Sequence, residues 1–387
     1  MSTELAAADC TNYISEELEK DNYVVAAFVD LTKAFDTVNH RILLDKLNYY
    51  GVRDTELEWF RSYFTNRQQL VNINNNRSTL LPVNTSIPQG STLGPLLFIL
   101  YINDLINASN RLKMYLYADD SVVMLSGKDL NDVISLMNVE LENINDWFKS
   151  NSLTVNLNKS NYMIFGKNKK ILNNQPLLIN GREIERVKEF KFLGVLLNES
   201  FNWKPHIHFL VSKLSKLNGI LYLVRHLFNE ETLKLMYNAL VHSSLTYANI
   251  IWGSTFKTHL NPLRISQKKI IRTMTYSNRH THTATLYKSL KILNIDKINY
   301  LTTSQFVYKS LNNIAATEIK FEFARNVHNM NIRDQLRLRT PRFKYEPRRH
   351  SLAYHGCIVW NELSNEIKTS LNLFVFKKKL KTLLFDK

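Results

Sequence analysis

Two aspartates sit side by side in the stretch KMYLYADDSVVM (residues 113–124), between apolar and β-branched runs that read as a strand pair. Two carboxylates held about 4 Å apart repel by roughly 4 kcal/mol at an effective dielectric near 20. Asp119 and Asp120, placed together at a hairpin turn, therefore ask for positive charge nearby. Taken alone the pair also fits a solvated turn, because Asp is a common turn former. A third carboxylate changes the balance. Tyr23 to Val29 (YVVAAFV) is a short apolar run that stops at Asp30, the pattern of a buried strand with an acid at its C-terminal end. On neighbouring strands of one sheet, the three carboxylates would face one point. Hard divalent cations take oxygen ligands, and Mg²⁺ typically uses a few carboxylates together with substrate phosphates and water. Such a set suits phosphoryl transfer, in which two metal ions clamp the attacking and leaving oxygens.

The surrounding elements must hold those acids in place. Leu130 to Phe148 puts apolar residues at 130, 133, 134, 137, 141, 144 and 148, one face of a helix, with Asp129 as its N-cap. Leu153–Leu157 alternates apolar and polar and Tyr162–Phe165 is apolar, so both read as strands. Pro88-Gln89-Gly90 reads as a turn before a buried helix with Pro95 in its first turn. Asn180-Gly181 between PLLI and REIERV is a strong hairpin signal. Beyond Asn202 the pattern turns helical, over Ile207–Leu227, Glu230–Tyr247 and Gln267–Tyr276. The centre is mixed α+β and the remainder mostly helical.

Composition sets the bounds. A chain of 387 residues, 44% apolar and 11% aromatic, can bury a substantial core over two or three domains. Its formal charge of +16 is uneven, with 5 Lys/Arg against 12 Asp/Glu in residues 1–60 and 15 against 6 in residues 320–387. That excess suits a polyanion such as nucleic acid, and equally a lysine-rich solubilising surface. The longest apolar run, Leu93–Ile102, is about half a membrane span, and MSTELAAADC has no signal-peptide pattern. Nuclear or cytoplasmic residence is expected, without secretion or membrane insertion. Cys10 and Cys357 alone support neither a disulfide framework nor a zinc site.

Taken in order, the motifs resemble those of reverse transcriptases of non-LTR, LINE-like retrotransposons, especially the jockey-type group. FVDLTKAFDTVNHRILLDKL from Phe28 resembles the first catalytic motif, IPQGSTLGPLLFILYINDL from Ile87 the template-and-nucleotide motif, and YLYADDSVVM from Tyr115 the second catalytic motif. SLTVNLNKSNYMIFG resembles the fourth motif, FKFLGVLL the primer grip, and SLAYHGCIVWNELSNEIKTSLNLFVFKKKLKTLL the C-terminal segment of these elements.

The resemblance implies an α+β right-hand polymerase palm, a ferredoxin-like antiparallel sheet with packed helices, followed by a helical thumb. The expected divisions are a palm with a remnant of the fingers over 1–200, a thumb over 201–295 and a basic C-terminal extension over 296–387. The implied activity is RNA-directed DNA synthesis with two Mg²⁺ ions on an RNA template, a DNA primer or target DNA, and deoxynucleoside triphosphates. Asp30 and Asp119 would be the main metal ligands, with the Leu31 carbonyl added and Asp120 in support. Phe35 matches the steric gate against a ribose 2′-hydroxyl, and it also fits an ordinary core phenylalanine. Gln89 and Gly90 would contact the incoming nucleotide and the template. Lys159 is a candidate to protonate the pyrophosphate leaving group, and Phe192, Leu193 and Gly194 would form the primer grip. In the thumb, Lys213, Lys216, Lys268, Lys269 and Arg272 could meet phosphates. His280 and His282 read as surface loop residues, and Trp203, Trp252 and Trp360 as core anchors.

Only 29 residues precede Asp30, so the likeness begins inside the fingers region. An N-terminally truncated copy is therefore expected. The alternative reading is a non-catalytic nucleic-acid-binding remnant. A maturase or telomerase subunit is a further rival, whose distinguishing domains the sequence does not display.

Overall fold

The computed structural model describes residues 2–166, 175–326, 334–344 and 346–386. The chain divides into two compact units. One runs from Asn22 to Ile164 and takes in the stretch ending at Val187, while the other holds the residues up to Asp21, Phe165 and Gly166, and everything from Lys188 onward. Packing defines these units.

The first unit is built on a five-stranded sheet in the order Glu185–Arg186, Asn161–Phe165, Tyr23–Val29, Asp120–Gly127, Lys113–Tyr117. The apolar run Tyr23–Val29 forms the central strand and is buried from Val24 onward, because it has neighbours on both edges and both faces. It pairs antiparallel with Asp120–Gly127, which pairs antiparallel with Lys113–Tyr117. At the opposite edge Glu185–Arg186 adds a short parallel pair to Asn161–Tyr162. The helix Leu130–Ser150 starts where its sequence says it should, with the Asp129 carboxylate accepting from the N–H groups of Asn131 and Asp132 at 2.8 and 3.2 Å. Its apolar stripe, including Ile134, Met137, Leu141 and Phe148, joins Val25, Ala27 and Val123 of the sheet in one core. The helix Gly94–Ile102 carries Pro95 in its first turn and buries Leu97, Phe98, Tyr101 and Ile102 in the same core.

Three local expectations are revised. Leu153–Leu157 is not a strand; it makes a single antiparallel bridge, Leu31 to Val155. The segment is confined between Ser152 at φ +55° and a turn in which Asn156 C=O accepts from the N–H groups of Lys159 and Ser160, so it folds around Asp30 instead of extending. The two residues of the acidic hairpin turn are Ala118 and Asp119, not the two aspartates, since Asp120 is already paired with Tyr117. Glu230–Tyr247 is not one regular helix; it passes from α over Glu230–Met236 to a wide π turn over Tyr237–His242 and back to α over Ser243–Thr246. The wide turn keeps Tyr237 and Val241 both fully buried. The Asn180-Gly181 hairpin forms as expected, with both residues at positive φ, the two-residue turn that matches strand twist.

The second unit is mainly helical, with Lys204–Val224 packed along Lys257–Met274 and Ile295–Leu311 along Leu352–Asn361. Trp203, Trp252 and Trp360 are buried in it. The N-terminal helix Thr3–Glu19 belongs to this unit, packing on Leu352–Asn361 and Asn249–Trp252. Its buried Asp9 accepts from Thr317 Oγ1 at 2.5 Å and from the Glu318 N–H at 3.2 Å.

Candidate active site

Strand register brings the acids together. Val29 pairs with Ser121 as the last rung between the central strand and its neighbour. Asp30 and Asp120 are the next residues on the two strands beyond that rung, which leaves them at the same end of the ladder. Asp119 follows Ala118 in the two-residue turn, where Ala118 takes φ +51°. The electrostatics agree with that placement: the Asp120 carboxyl is pushed above the usual carboxylate range first by burial, then by the charges of Asp119 and Asp30. Among the described residues no three His, Cys, Asp or Glu side chains form a ready-made ligand cluster. The aspartates are thus neighbours in register and in field rather than a closed cage. Like charges so placed fit a divalent cation, because only positive charge between them offsets the repulsion.

Asp30 is held from behind by the segment that the fourth-motif likeness covers. Its N–H donates to Ser160 Oγ at 3.1 Å and its C=O accepts from Asn156 N–H at 2.8 Å. Those contacts, with Thr32 N–H donating to Thr154 C=O, make the Leu31–Val155 bridge one in which Leu31's own C=O takes no part. Lys159 Nζ stands 4.0 Å from Asp30 Oδ2, with the lysine side chain 72% exposed. At that exposure the pair is worth about 0–1 kcal/mol at most, so the lysine remains available to another anion.

A second set of contacts ties the Phe35 segment to the turn at Pro88–Ser91. Ile87 N–H donates to Phe35 C=O at 2.9 Å, Ser86 N–H to Val38 C=O at 2.9 Å, and His40 Nε2 to Ser86 C=O at 2.7 Å. Phe35 stacks on Phe98 with ring centroids 4.6 Å apart, partly buried at the edge of the core. Gln89 Nε2 donates to Asp36 Oδ1 at 2.9 Å, so Asp36 orients the amide. Gly90 takes φ +80° at the third position of the turn, closed by Ser91 N–H donating to Pro88 C=O at 3.2 Å. A Cβ there would touch nothing within 4 Å, leaving open space on that side of the backbone.

In the second unit, Glu189–Phe192 and Val195–Asn198 form a hairpin whose turn is Leu193-Gly194, at φ +43° and +80°. Phe192 and Leu193 are buried, at 3% and 8% exposure, so side-chain packing fixes the turn and its backbone is what it presents. Tyr247 clamps it, donating its hydroxyl to Leu193 C=O at 2.6 Å. Beside the turn lies a cavity of about 240 Å³ lined by Lys191, His206, Phe209 and Lys213 among others. The His206 ring is driven down to a pKa of about 4 by burial and then by Lys191, and is neutral at physiological pH. Lys213, Lys216, Lys268 and Lys269 are exposed, whereas Arg272 Nε donates to Thr281 C=O at 3.0 Å. His280 and His282 are exposed. Asp36, Ser160 and Tyr247 escaped the sequence reading. Only their contacts distinguish them from ordinary polar residues, although Asp36 and Ser160 lie within the quoted motifs.

Known proteins align with this arrangement. The family model described as reverse transcriptase (RNA-dependent DNA polymerase) matches residues 4–197. The chain belongs to that family, and the matched residues include the α+β unit with its largely antiparallel sheet. The chain's relatives include RNA-directed DNA polymerases of mobile elements. It is 28% identical over 300 residues to the RNA-directed DNA polymerase from mobile element jockey of Drosophila funebris, covering 74% of this chain and 32% of that protein. Identity to the jockey polymerase of Drosophila melanogaster is 25% over 291 residues, with 73% and 31% covered. The probable RNA-directed DNA polymerase from transposon BS of Drosophila melanogaster is 24% identical over 315 residues, with 76% and 34% covered. The chain thus spans about a third of the length of these relatives. A telomerase structure from Candida albicans aligns with a TM-score of 0.38 at 11% identity, over 74% of this chain and 53% of that one, too low to bear on the fold.

Proposed function

We propose that the chain carries the polymerase step of a non-LTR retrotransposon, RNA-templated DNA synthesis from a DNA primer with deoxynucleoside triphosphates. The observation that supports it most is the register that ends at Val29 and Ser121, with Asp30 and Asp120 the next residues beyond that rung and Asp119 in the adjoining turn. Asp30 and Asp119, with the Leu31 carbonyl and with Asp120 in support, would hold two Mg²⁺ ions. When bound, these would supply Lewis-acid activation of the primer 3′-hydroxyl and charge stabilisation on the transferring phosphoryl group. Lys159 donates a proton to the departing pyrophosphate, from beside Asp30. Phe35, braced on Phe98, closes the space that a ribose 2′-hydroxyl needs. Gln89, oriented by Asp36, and the open backbone at Gly90 receive the nucleotide and template. The Phe192-Leu193-Gly194 turn holds the primer end. The palm then covers 1–200, the thumb 201–295 and the basic extension 296–387, with the thumb lysines on phosphates. No helix among the described residues is long and apolar enough to cross a membrane, and work on nucleic acid places the protein in the nucleus or cytoplasm.

Primer extension on poly(rA)/oligo(dT) with Mg²⁺ tests the proposal. Incorporation by the wild-type chain that disappears in Asp119→Asn is the expected result. Equal incorporation by both, or none by either, leaves only nucleic-acid binding.

A further inference from the structure

The end of the helix Lys204–Val224 carries a tyrosine–arginine stack to which the polymerase reading gives no role. The Arg225 guanidinium lies between two tyrosine rings, 4.4 Å from the Tyr222 centroid and 4.5 Å from that of Tyr276. Arg225 is anchored by donating from Nη1 to Thr273 C=O at 3.2 Å, which fixes the stack to the end of the neighbouring helix Lys257–Met274. Both tyrosines are nevertheless 57% exposed. A core or a simple helix staple would bury those rings; here the arginine pins them while much of their surface stays open. The stack borders a cavity of about 680 Å³, whose wall also carries Lys269, Arg272 and Arg279. Among the described residues lining it there is no carboxylate. The cavity beside the Leu193-Gly194 turn includes Phe209, and from Phe209 to Tyr222 the shared helix rises about 20 Å, so the two sites are separate.

Exposed aromatic faces set among cations, with no acid, are the chemistry of single-stranded nucleic acid, where bases stack on rings and phosphates meet Lys and Arg. Duplex, with its bases already stacked on each other, has no use for the tyrosine faces. We propose that this cavity is a binding site for unpaired RNA, with bases on Tyr222 and Tyr276 and the backbone on Lys269 and Arg279. The choice of RNA over DNA rests on the reading that this chain copies RNA. It is supported by Ser277 and Asn278, polar side chains on the same wall that can meet a 2′-hydroxyl.

The test is fluorescence anisotropy of labelled (U)10 RNA on the full chain, in EDTA and without nucleotides, so that binding is read apart from synthesis. Tyr222→Ala and Tyr276→Ala are each expected to weaken binding at least about fivefold, with Phe at either position restoring it. Lys320→Gln, which removes a charge outside the cavity, should change it less than about twofold, and (dU)10 should bind more weakly than (U)10. On the wild-type chain, 4-thiouridine crosslinks should map to Tyr222 or Tyr276, a readout that does not depend on how a variant folds. The site is overturned if the alanine variants bind as the wild type does, or if crosslinks fall elsewhere. Tighter binding of (dU)10 overturns the assignment to RNA, and a glutamate-rich peptide that displaces (U)10 in a Tyr222-dependent way replaces it with a protein partner. Primer extension that occurs while the tyrosines prove irrelevant to binding sinks this site alone. Tyrosine-dependent binding without any extension sinks the polymerase reading alone.

Discussion

Asp120 shows how closely the three acids are coupled. Its carboxyl sits above the ordinary carboxylate range through burial and then the charges of Asp119 and Asp30, so the folded chain holds that proton more tightly than the unfolded one. The stabilising share of this group is complete below pH about 4 and is lost as pH rises through its folded value. Asp120→Asn should therefore stabilise the chain at pH 7, by less than about 1 kcal/mol once solvent screening is allowed for, and flatten the stability curve just above pH 4. Urea denaturation across pH reads both, and an unchanged profile would mean that the acids do not share a field. Phe35 makes a separate prediction. Phe35→Val should raise incorporation of ribonucleotides relative to deoxynucleotides by about tenfold or more, measured as a ratio of kcat/KM values that general loss of packing against Phe98 does not move.

The two glycines singled out at turns differ in a way that only their surroundings reveal. Both sit at φ +80°, so any L side chain is strained there by roughly 1–2 kcal/mol. At Gly90 that is the whole penalty, because an added Cβ meets open space. At Gly194 the added Cβ would lie 2.9 Å from Tyr247 Cε1 and disturb the clamp on Leu193. Gly194→Ala should thus destabilise the chain more than Gly90→Ala in urea unfolding, by about 1 kcal/mol or more. Tyr247→Phe, which removes only the hydroxyl donated to Leu193 C=O, should cost about 1 kcal/mol. Equal losses at the two glycines would show that Tyr247 does not constrain the turn.

Across the molecule, the acidic N-terminus is not an appendage. The helix Thr3–Glu19 buries Asp9, which accepts two hydrogen bonds from Thr317 and Glu318, while Glu16 pairs with Arg348 at 3.2 Å. Asp9→Ala leaves those donors without their partner and is expected to destabilise the second unit by about 1–3 kcal/mol, read by urea denaturation with Trp203, Trp252 and Trp360 as fluorescent reporters within that unit. The charge of +16 makes a different kind of prediction. Affinity for an RNA–DNA duplex should fall steeply with salt, and replacing Lys213, Lys216 and Lys268 by Gln should lower the slope of log affinity against log salt by about 2–3. An unchanged slope would return those lysines to the role of a solvated surface.

Sequence alone determined the elements that local pattern dictates. The central strand Tyr23–Val29, the capped helix from Leu130 and the Asn180-Gly181 hairpin are where periodicity, capping and turn chemistry put them, because each is decided within a dozen residues. The ordered motifs also carried the family, since residue types at fixed spacing survive in a single chain. Tertiary structure decided what depends on partners distant in sequence. The alternation of Leu153–Leu157 looked like a strand, but the chain there wraps Asp30 through Asn156 and Ser160. The pairing of Tyr117 with Asp120 moved the acidic turn by one residue, a difference of register that no local propensity encodes. Asp36 on Gln89, Tyr247 on Leu193 and the N-terminal helix on the C-terminal helices are likewise contacts made across 53, 54 and more than 300 residues. Hydrogen bonds and packing act over a few ångströms in space, whereas sequence patterns report only on neighbours along the chain.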